Sequence, residues 1–570
     1  MAAKCVYVSV CVCALVVFSV AQTPPVRTTE GVVVGRTVTD GNYYGFYGMY
    51  YGGSTEGDNR FKAPTPPPTY PGDFHAIDAN VMCAQLSPRG LIGVENCLTL
   101  NVFTNNTQTR KPVVVWLNGE DYATTTSQPN PSFKRLIQQD IVVVSLNYRL
   151  SIFGFLCLGV KQAPGNAGLK DVIQGLQWVK RNIIGFGGDP TNVVLMGHGS
   201  GAAMVDLVTL SPQAKGLVHK AIALSGSALA PWAISYDPVG TAHSFGASVG
   251  YTGKTNEQLA SLLQTTDIDV LISALGNYPR SYNNTPMFAP CIENPKSNQT
   301  FLTDSPLNIL RSGDYNHVPY IAGYTNKEGS IRANMAASYD WLPKMQKEFS
   351  EFLPVDINYN AAPNKTAVES SIRQYYFGGR DISIETIDDY LDYHGDTLTL
   401  VSVIKGAKER AVTSTADVRL FEFAYRGTYN SDWKYYQIKL TGVQHGGILN
   451  YLFDFDLRPN DANIRAALVT RFATFIARGT ASGVLNTAAP WLAISNNSLN
   501  YLYYGGNDGP IANMGYAFIE EARYNPHQQR MNFWNDIYSK YYRAPSPVSA
   551  GSVFSISLGL GVISMIVHWL

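Results

Sequence analysis

Short runs of apolar, β-branched residues alternate along the chain with a longer stretch of helical period. Three such runs, 113–117, 141–146 and 193–196, predict buried strands, because strands covered on both faces are apolar at every position. Between the second and third runs, apolar residues recur at helical spacing over 169–183. This alternation of strand, helix and strand predicts an α/β fold, with a large, mostly parallel sheet and helices on both faces.

The remaining pattern predicts one large domain. Residues 25–540 contain no fixed-period repeat and no Gly/Ser linker, so we place a single domain over 22–542. Helical segments at 464–477 and 518–541 are expected to pack on the outside of the sheet. Prolines among small residues over 543–552 predict a stalk that carries an anchor site.

The two ends of the chain predict export and membrane attachment. Residues 1–21 hold a lysine, a short apolar run and small residues before Ala21, which is the pattern of a signal peptide. Residues 553–570 are almost wholly apolar, and no Lys or Arg follows them. This favours a lipid-anchor (GPI) signal with attachment at Ser549, or at Ser546, over the alternative of a membrane-spanning tail.

Composition limits the classes of partner. The 570 residues are 45% hydrophobic and 15% charged, which is the balance of a chain that buries a large core. Lys plus Arg and Asp plus Glu both number 43, so the chain has no basic field that would attract nucleic acid. We therefore expect partners recognised by shape and local chemistry, and neither a metal nor a cofactor.

Cysteines and glycosylation sequons fit an extracellular route. Three of the seven cysteines lie in the predicted signal peptide. In an oxidising compartment, Cys83 and Cys97 should form a disulfide. For Cys157 and Cys291 the sequence leaves two options open, buried thiols or a second disulfide. The Asn-x-Ser/Thr sequons are at Asn105, Asn283, Asn298, Asn364 and Asn496.

The third apolar run leads into the sequence Gly197-His198-Gly199-Ser200-Gly201, and a helical pattern follows it. A strand, a glycine-flanked turn and a helix form the setting of the nucleophile elbow, G-x-S-x-G. Here the middle position is glycine.

The chain resembles the type-B carboxylesterase and cholinesterase family over nearly its whole mature length. The run 186–203 is similar to that family's elbow without a gap, and segments beginning at Glu95, Asn147 and Gly165 resemble its other signatures. The resemblance implies an α/β-hydrolase fold.

The register of the elbow decides which residue stands at the nucleophile position. The turn is so tight that residues two before and two after the nucleophile must be small. Centring on Ser200 puts His198 in one of those places, whereas centring on Gly199 puts glycines in both. We therefore assign the nucleophile position to Gly199 and expect Ser200 to begin the helix, with Ser200 kept as the alternative nucleophile.

The resemblance places the other active-site residues as well. Glu328 stands where the family has its acid and His445 where it has its base, and without a serine hydroxyl they have nothing to deprotonate. The family's oxyanion sequence H-G-G-G-F corresponds to 118–122, which carries Glu120 and Asp121 in glycine positions. Two carboxylates there oppose an oxyanion, although the backbone amides remain as donors.

The sequence is compatible with two functions. The first is a non-catalytic cell-surface glycoprotein, similar to neuroligins, neurotactin, gliotactin and glutactin, that binds an extracellular protein partner or a small apolar ligand. The second is a surface carboxylic-ester hydrolase that uses Ser200 with His445 and Glu328, or that activates water directly at His445. The family resemblance also implies a homodimer contact through 518–541.

Overall fold

The computed structural model describes residues 23–125, 132–278, 281–294, 300–358, 365–430, 434–435, 438–439, 441–453, 461–481, 489–495, 498–506 and 518–548. The strands are β1 Val26–Arg27, β2 Val32–Val34, β3 Arg36–Val38, β4 Tyr43–Tyr50, β5 Phe74–His75, β6 Gln85–Ser87, β7 Gly90–Ile92, β8 Thr99–Thr104, β9 Lys111–Leu117, β10 Val142–Leu146, β11 Gly188–His198, β12 Lys220–Leu224, β13 Tyr320–Thr325, β14 Val418–Phe423, β15 Lys434–Tyr435, β16 Ile438–Lys439, β17 Asn500–Gly506 and β18 Phe518–Tyr524. The helices are α1 Lys134–Ile137, α2 Ser151–Phe155, α3 Ala167–Asn182, α4 Ser200–Leu210, α5 Pro238–Ser248, α6 Asn256–Thr265, α7 Ile268–Asn277, α8 Pro306–Ser312, α9 Ala333–Ser338, α10 Trp341–Lys347, α11 Lys365–Phe377, α12 Ile387–Gly395, α13 Val401–Thr413, α14 Gly427–Asn430, α15 Leu449–Leu452, α16 Ala462–Arg478 and α17 Gln528–Tyr541.

An 11-stranded sheet in the order β18-β17-β14-β13-β12-β11-β9-β10-β8-β4-β3 forms the centre of the described part of the chain. Its strands are parallel from β10 across to β17 and antiparallel at both edges. The predicted strands appear as β9, β10 and the end of β11, and the predicted helix as α3. The predicted α/β-hydrolase class is confirmed.

Alternate residues of the central strands supply two separate hydrophobic cores. In β9, Val113, Val115 and Leu117 belong to the larger core, whereas Val114 and Trp116 belong to the smaller one. Successive side chains of a strand point to opposite faces, so a strand with helices on both sides must be apolar at every position. This is why the central strands read as continuous apolar runs.

The segment 518–541, which was predicted to be one helix, is a strand followed by a helix. Its first part is strand β18, which pairs antiparallel with β17, and only Gln528–Tyr541 is helical. The break falls at Asn525 and His527, which both have positive φ and flank a proline. Because a residue before proline is disfavoured in the helical region, the helix cannot run through it. The homodimer contact through 518–541 stays a prediction. The other late helix, 464–477, is confirmed within α16.

Residues 543–548, predicted as the start of a stalk, lie instead against the domain. The backbone N–H of Arg543 donates to the Asp356 carbonyl at 2.7 Å, and that of Val548 donates to the Ile292 carbonyl at 2.9 Å. Val548 is 5% exposed and packs on the disulfide formed by Cys157 and Cys291. The last described residue therefore lies beside that disulfide.

Several predicted features fall outside the described residues: the signal peptide 1–21, the apolar tail 553–570, Ser549, Asn298, Asn364 and Asn496. Of the other sites, Ser546 and Asn105 are exposed and Asn283 is partly exposed. Across the described ranges, no single helix has the length and apolar character needed to cross a membrane, and α6 with α7 meets that test only as a pair bent by 113°.

Two disulfides link the described chain. The predicted pair Cys83–Cys97 is confirmed, and the open question about Cys157 and Cys291 resolves as a second disulfide. The second closes a sequence separation of 134 residues, against 14 for the first. Closure of a longer loop removes more conformational entropy from the unfolded chain, so the second disulfide should stabilise the fold more.

Replacing both Cys157 and Cys291 with alanine should lower the free energy of unfolding by about 2–5 kcal/mol. Urea unfolding followed by circular dichroism measures this loss. The matched control is the double alanine variant of Cys83 and Cys97, for which a smaller loss is expected. An equal or larger loss in the control would contradict this ranking.

Candidate functional site

The turn between β11 and α4 has the geometry of a nucleophile elbow centred on Gly199. Gly199 has φ 59° and ψ −123°, a conformation that side chains rarely adopt, and Ser200 is the first residue of the helix. A Cβ on Gly197 would lie 2.5 Å from the Gly201 carbonyl oxygen, and a Cβ on Gly201 would lie 2.3 Å from that of Leu117. No side chain therefore fits at Gly197 or at Gly201. This agrees with the sequence argument that the residues two before and two after the nucleophile position must be small.

The open space at Gly199 lies beside the imidazole of His445. A Cβ built on Gly199 would lie 3.5 Å from His445 Nε2 and 3.5 Å from the Gly119 carbonyl oxygen, at ordinary contact distance. A serine has space at this position beside the imidazole, at the cost of the backbone strain that a side chain has at positive φ. Glycine supplies no atom there.

Glu328 and His445 form a buried acid–base pair. Glu328 Oε2 lies 2.5 Å from His445 Nδ1, and Glu328 Oε1 accepts 2.6 Å hydrogen bonds from the Ser225 hydroxyl and the Thr325 backbone N–H. The backbone N–H of His445 donates to Ser330 Oγ at 2.8 Å. Both side chains are thus held in place independently of any substrate.

The two histidines of the site carry opposite pKa shifts. Burial by itself would lower the pKa of His445, but the charge and hydrogen bond of Glu328, aided by the charge of Glu120, outweigh it and raise that pKa. Burial lowers the pKa of His198 well below its usual range, and the charge on His445 lowers it further. Their ring centroids are 4.5 Å apart. His445 therefore favours its charged form while His198 stays neutral.

The oxyanion segment, residues 118–122, forms a turn in which one backbone N–H points away from the cleft. The backbone N–H of Glu120 donates to the Thr124 carbonyl at 2.8 Å, so it does not face the cleft as the sequence led us to expect. Asp121 and Tyr122 both have positive φ, at 51° and 57°. Each such residue costs about 1–3 kcal/mol when it is not glycine. Burial of the Tyr122 ring, whose hydroxyl donates to the Ala233 carbonyl at 3.2 Å, offsets this strain.

The cleft around these residues is small. Its cavity measures about 30 Å³. Its walls include Glu120, Asp121, Ser200, Trp232, Arg332 and His445. Such a volume has room for about two water molecules, whereas small-molecule sites measure about 300–1,000 Å³. In the described conformation the cleft is therefore much smaller than a typical small-molecule site.

Ser200 faces the oxyanion segment. It is 3% exposed, and its Oγ has no hydrogen-bond partner among the described residues. That Oγ lies 3.2 Å from where a Cβ on Gly119 would stand. His445 is not bonded to it, so the two do not form a nucleophile–base pair in this conformation.

Comparison with known proteins assigns the family. The family model described as the carboxylesterase family matches residues 22–534.

This chain belongs to the carboxylesterase family.

Its relatives are named as esterases. A carboxylic ester hydrolase of Bombus ignitus is 28% identical over 540 residues, covering 90% of this chain and 94% of the relative. Venom carboxylesterase-6 of Apis mellifera is 28% identical, covering 85% and 90%. The crystal structure of juvenile hormone esterase from Manduca sexta, which carries covalently attached OTFP, superposes with a TM-score of 0.79 at 24% identity, covering 90% of this chain and 99% of that one. This last likeness shows the shared fold.

Other residues of this carboxylesterase cleft were not identified from sequence. Arg332 is buried, its Nε donates to Asn284 Oδ1, and its guanidinium lies 3.9 Å from Asp121. Ser225 and Thr325, which fix Glu328, were also missed. Ser225 directly follows β12, Thr325 ends β13, and Arg332 ends the helical turn that begins at Glu328, and none of them belongs to a motif recognised in the sequence. Within the described ranges, no three His, Cys, Asp or Glu side chains are placed to hold a metal ion.

The raised pKa of His445 implies that the free energy of unfolding depends on pH. Because the folded pKa lies above the unfolded value of about 6.5, the charged pair stabilises the fold fully below that pH, and this contribution is lost as pH rises through the folded pKa. Glu328→Gln should therefore lower the free energy of unfolding by about 1–3 kcal/mol at pH 6, and by less at pH 9.

Urea unfolding of both proteins at the two pH values measures the difference, and NMR titration should show the pKa of His445 falling in the variant. The control is Glu120→Gln, which removes an exposed carboxylate without breaking the pair and should cost less. A loss that is larger at pH 9 than at pH 6 would contradict the assigned charge state.

Proposed function

We propose that this chain is a non-catalytic carboxylesterase relative, a cell-surface glycoprotein that binds an extracellular protein partner. The observation that carries the proposal is Gly199, whose missing side chain would face His445 Nε2 across 3.5 Å. Loss of the serine from a triad enzyme costs on the order of a millionfold in turnover. The retained Glu328–His445 pair then has a structural role.

The oxyanion segment supports the same proposal. With the Glu120 amide bonded to Thr124, one donor is withdrawn from the site where negative charge would develop. One lost oxyanion donor costs about a hundredfold to a thousandfold. The carboxylates of Glu120 and Asp121 oppose that charge further. Two independent changes thus act in the same direction.

The choice of partner follows from the size of the cleft. A cavity of about 30 Å³ does not hold a small apolar ligand, so a protein bound on the outer surface is the better candidate. This is the role of the cholinesterase-like adhesion molecules, such as neuroligins, neurotactin and glutactin. The named relatives are esterases, so support for this role comes from the residues of this chain and not from those names.

An extracellular location is part of the proposal. Two disulfides fit an oxidising compartment, and one relative is named for venom, a secreted fluid. We place the lipid anchor at Ser549 or Ser546. Because residues 543–548 lie against the domain, such an anchor would hold the domain close to the membrane surface.

One observation favours a second candidate function. The Ser200 hydroxyl is buried, unpartnered among the described residues and part of the same cleft wall as His445. In an ester hydrolase based on Ser200, this hydroxyl would have to rotate away from Gly119 towards the imidazole.

Hydrolysis of p-nitrophenyl acetate separates the two candidates. The protein should not raise the rate above the buffer rate, and Ser200→Ala should leave it unchanged. Gly199→Ser should add a slow activity that Ser200→Ala does not abolish, since the restored hydroxyl fits beside His445 while the oxyanion segment stays impaired. Turnover by the unaltered chain that disappears in Ser200→Ala would overturn the proposal in favour of the hydrolase.

Phosphatidylinositol-specific phospholipase C tests the anchor. Treatment of cells that express the full chain should release it into the medium, as measured by immunoblot. A chain truncated after residue 552 should be secreted without treatment. Retention of the full chain on treated cells would indicate a membrane-spanning tail.

A further inference from the structure

A buried carboxyl group lies at each end of helix α17. Near the start of the helix, Asp396 is 1% exposed and accepts hydrogen bonds from Arg530 Nη1 at 3.3 Å and from the Tyr376 hydroxyl at 2.6 Å. That hydroxyl in turn accepts a 2.7 Å hydrogen bond from Trp534 Nε1. Two side chains of α17, one charged and one aromatic, are therefore connected to the domain through Asp396.

The second carboxyl group lies where α17 ends. Asp356 is 3% exposed, and its Oδ1 accepts a 3.1 Å hydrogen bond from the Tyr538 hydroxyl. Its backbone carbonyl accepts a 2.7 Å hydrogen bond from the N–H of Arg543, and the N–H of Asn358 donates to the Tyr541 carbonyl at 2.8 Å. Asp356 therefore joins both the last turns of α17 and the chain that follows it to the domain.

The charged groups around Asp396 compensate its burial only in part. Arg530 and His527 favour the charged form of this carboxyl, whereas Asp392 opposes it. Arg530 is also shared, because its Nη2 donates to Asp392 at 2.7 Å. Burial outweighs the two cations and raises the pKa of Asp396 to about 6. The phenols that face it are those of Tyr375 and Tyr376.

Asp356 is compensated even less. The cation that acts on it is Lys405, whose ammonium lies 4.8 Å from the ring centre of Tyr538 and 5.1 Å from that of Tyr542. Burial outweighs this cation and the hydrogen bond from Tyr538, and it raises the pKa of Asp356 to about 7. The phenols of Tyr236 and Tyr542 also face this carboxyl. Ionisation at either end of α17 therefore places a poorly compensated charge in the interior.

We propose that the docking of α17 depends on pH, so that the helix is held most firmly when Asp356 and Asp396 are protonated and is loosened as they ionise. A neutral carboxyl can stay buried beside its phenol, whereas a carboxylate gains free energy by reaching water. Loosening would uncover the apolar side chains that α17 buries, Met531, Trp534 and Ile537. Neither carboxyl lines the cleft that holds Gly199, so this behaviour does not rest on the proposed function.

The direction of the pH dependence follows from the two raised pKa values. An aspartate exposed to water has a pKa of about 3.9. The stabilisation that each protonated carboxyl gives to docking is therefore complete below that pH, and it is lost as pH rises through about 6 for Asp396 and about 7 for Asp356. If opening exposes both groups fully, the opening constant should rise between pH 5 and pH 8 by roughly tenfold from Asp396 and roughly a hundredfold from Asp356.

Hydrogen exchange of the purified protein, followed by mass spectrometry, tests this dependence. After correction for the intrinsic effect of pH on exchange, peptides from 528–541 should be less protected at pH 8 than at pH 5, and peptides from α3 should change much less. Asp356→Asn and Asp396→Asn keep an acceptor oxygen at each place and cannot ionise. The double variant should therefore lose the pH dependence of α17.

Asp536→Asn is the matched control. It makes the same substitution on the exposed face of α17, where the carboxylate pairs with Lys540 at 2.7 Å, so the loss of protection at pH 8 should remain. Circular dichroism of each variant checks that it is folded. If the double variant fails to fold, Asp356→Asn alone should remove most of the pH dependence.

Three results would overturn the proposal. One is equal protection of α17 at the two pH values, and another is greater protection at pH 8. The third is a loss of protection at pH 8 that persists undiminished in the double variant, which would assign the pH dependence to groups other than these two carboxyls.

Discussion

Close backbone packing around Gly199 is the constraint on which the rest of the site depends. Strand β11 enters the turn and helix α4 leaves it with no space for a side chain at Gly197 or Gly201, and a Cβ on Gly226 would lie 2.2 Å from the Gly199 carbonyl oxygen. This contact fixes the turn against β9 and β12 whatever residue stands at its centre. The chain therefore has the backbone of a nucleophile elbow with glycine at its centre.

The surrounding residues are held in place by contacts that need no substrate. Glu328 is held by three hydrogen-bond donors, and removal of one partner would strand a buried polar group. The oxyanion segment retains its left-handed turn at Asp121 and Tyr122, because burial of the tyrosine ring offsets the backbone strain.

The sequence predicted those features that depend on local pattern. Strands such as β9 are covered on both faces, so their apolar runs were readable, and the small residues of the elbow gave its register. Features that depend on particular backbone angles or on distant contacts were not predicted. The left-handed residues at Asn525 and His527 split a predicted helix, and the hydrogen bond from Glu120 to Thr124 withdrew an amide expected to remain a donor. Arg332 ends the short helical turn that begins at Glu328, and its place in the cleft wall was not predicted.

The proposed function requires that no residue of this chain acts as an esterase nucleophile. Intact-protein mass spectrometry after incubation with an excess of a fluorophosphonate tests it most directly, because covalent labelling needs only an activated hydroxyl and no full turnover. The mass of the unaltered protein should not change, whereas Gly199→Ser should gain one phosphonyl group. A stoichiometric adduct on the unaltered chain, mapped to Ser200, would contradict it.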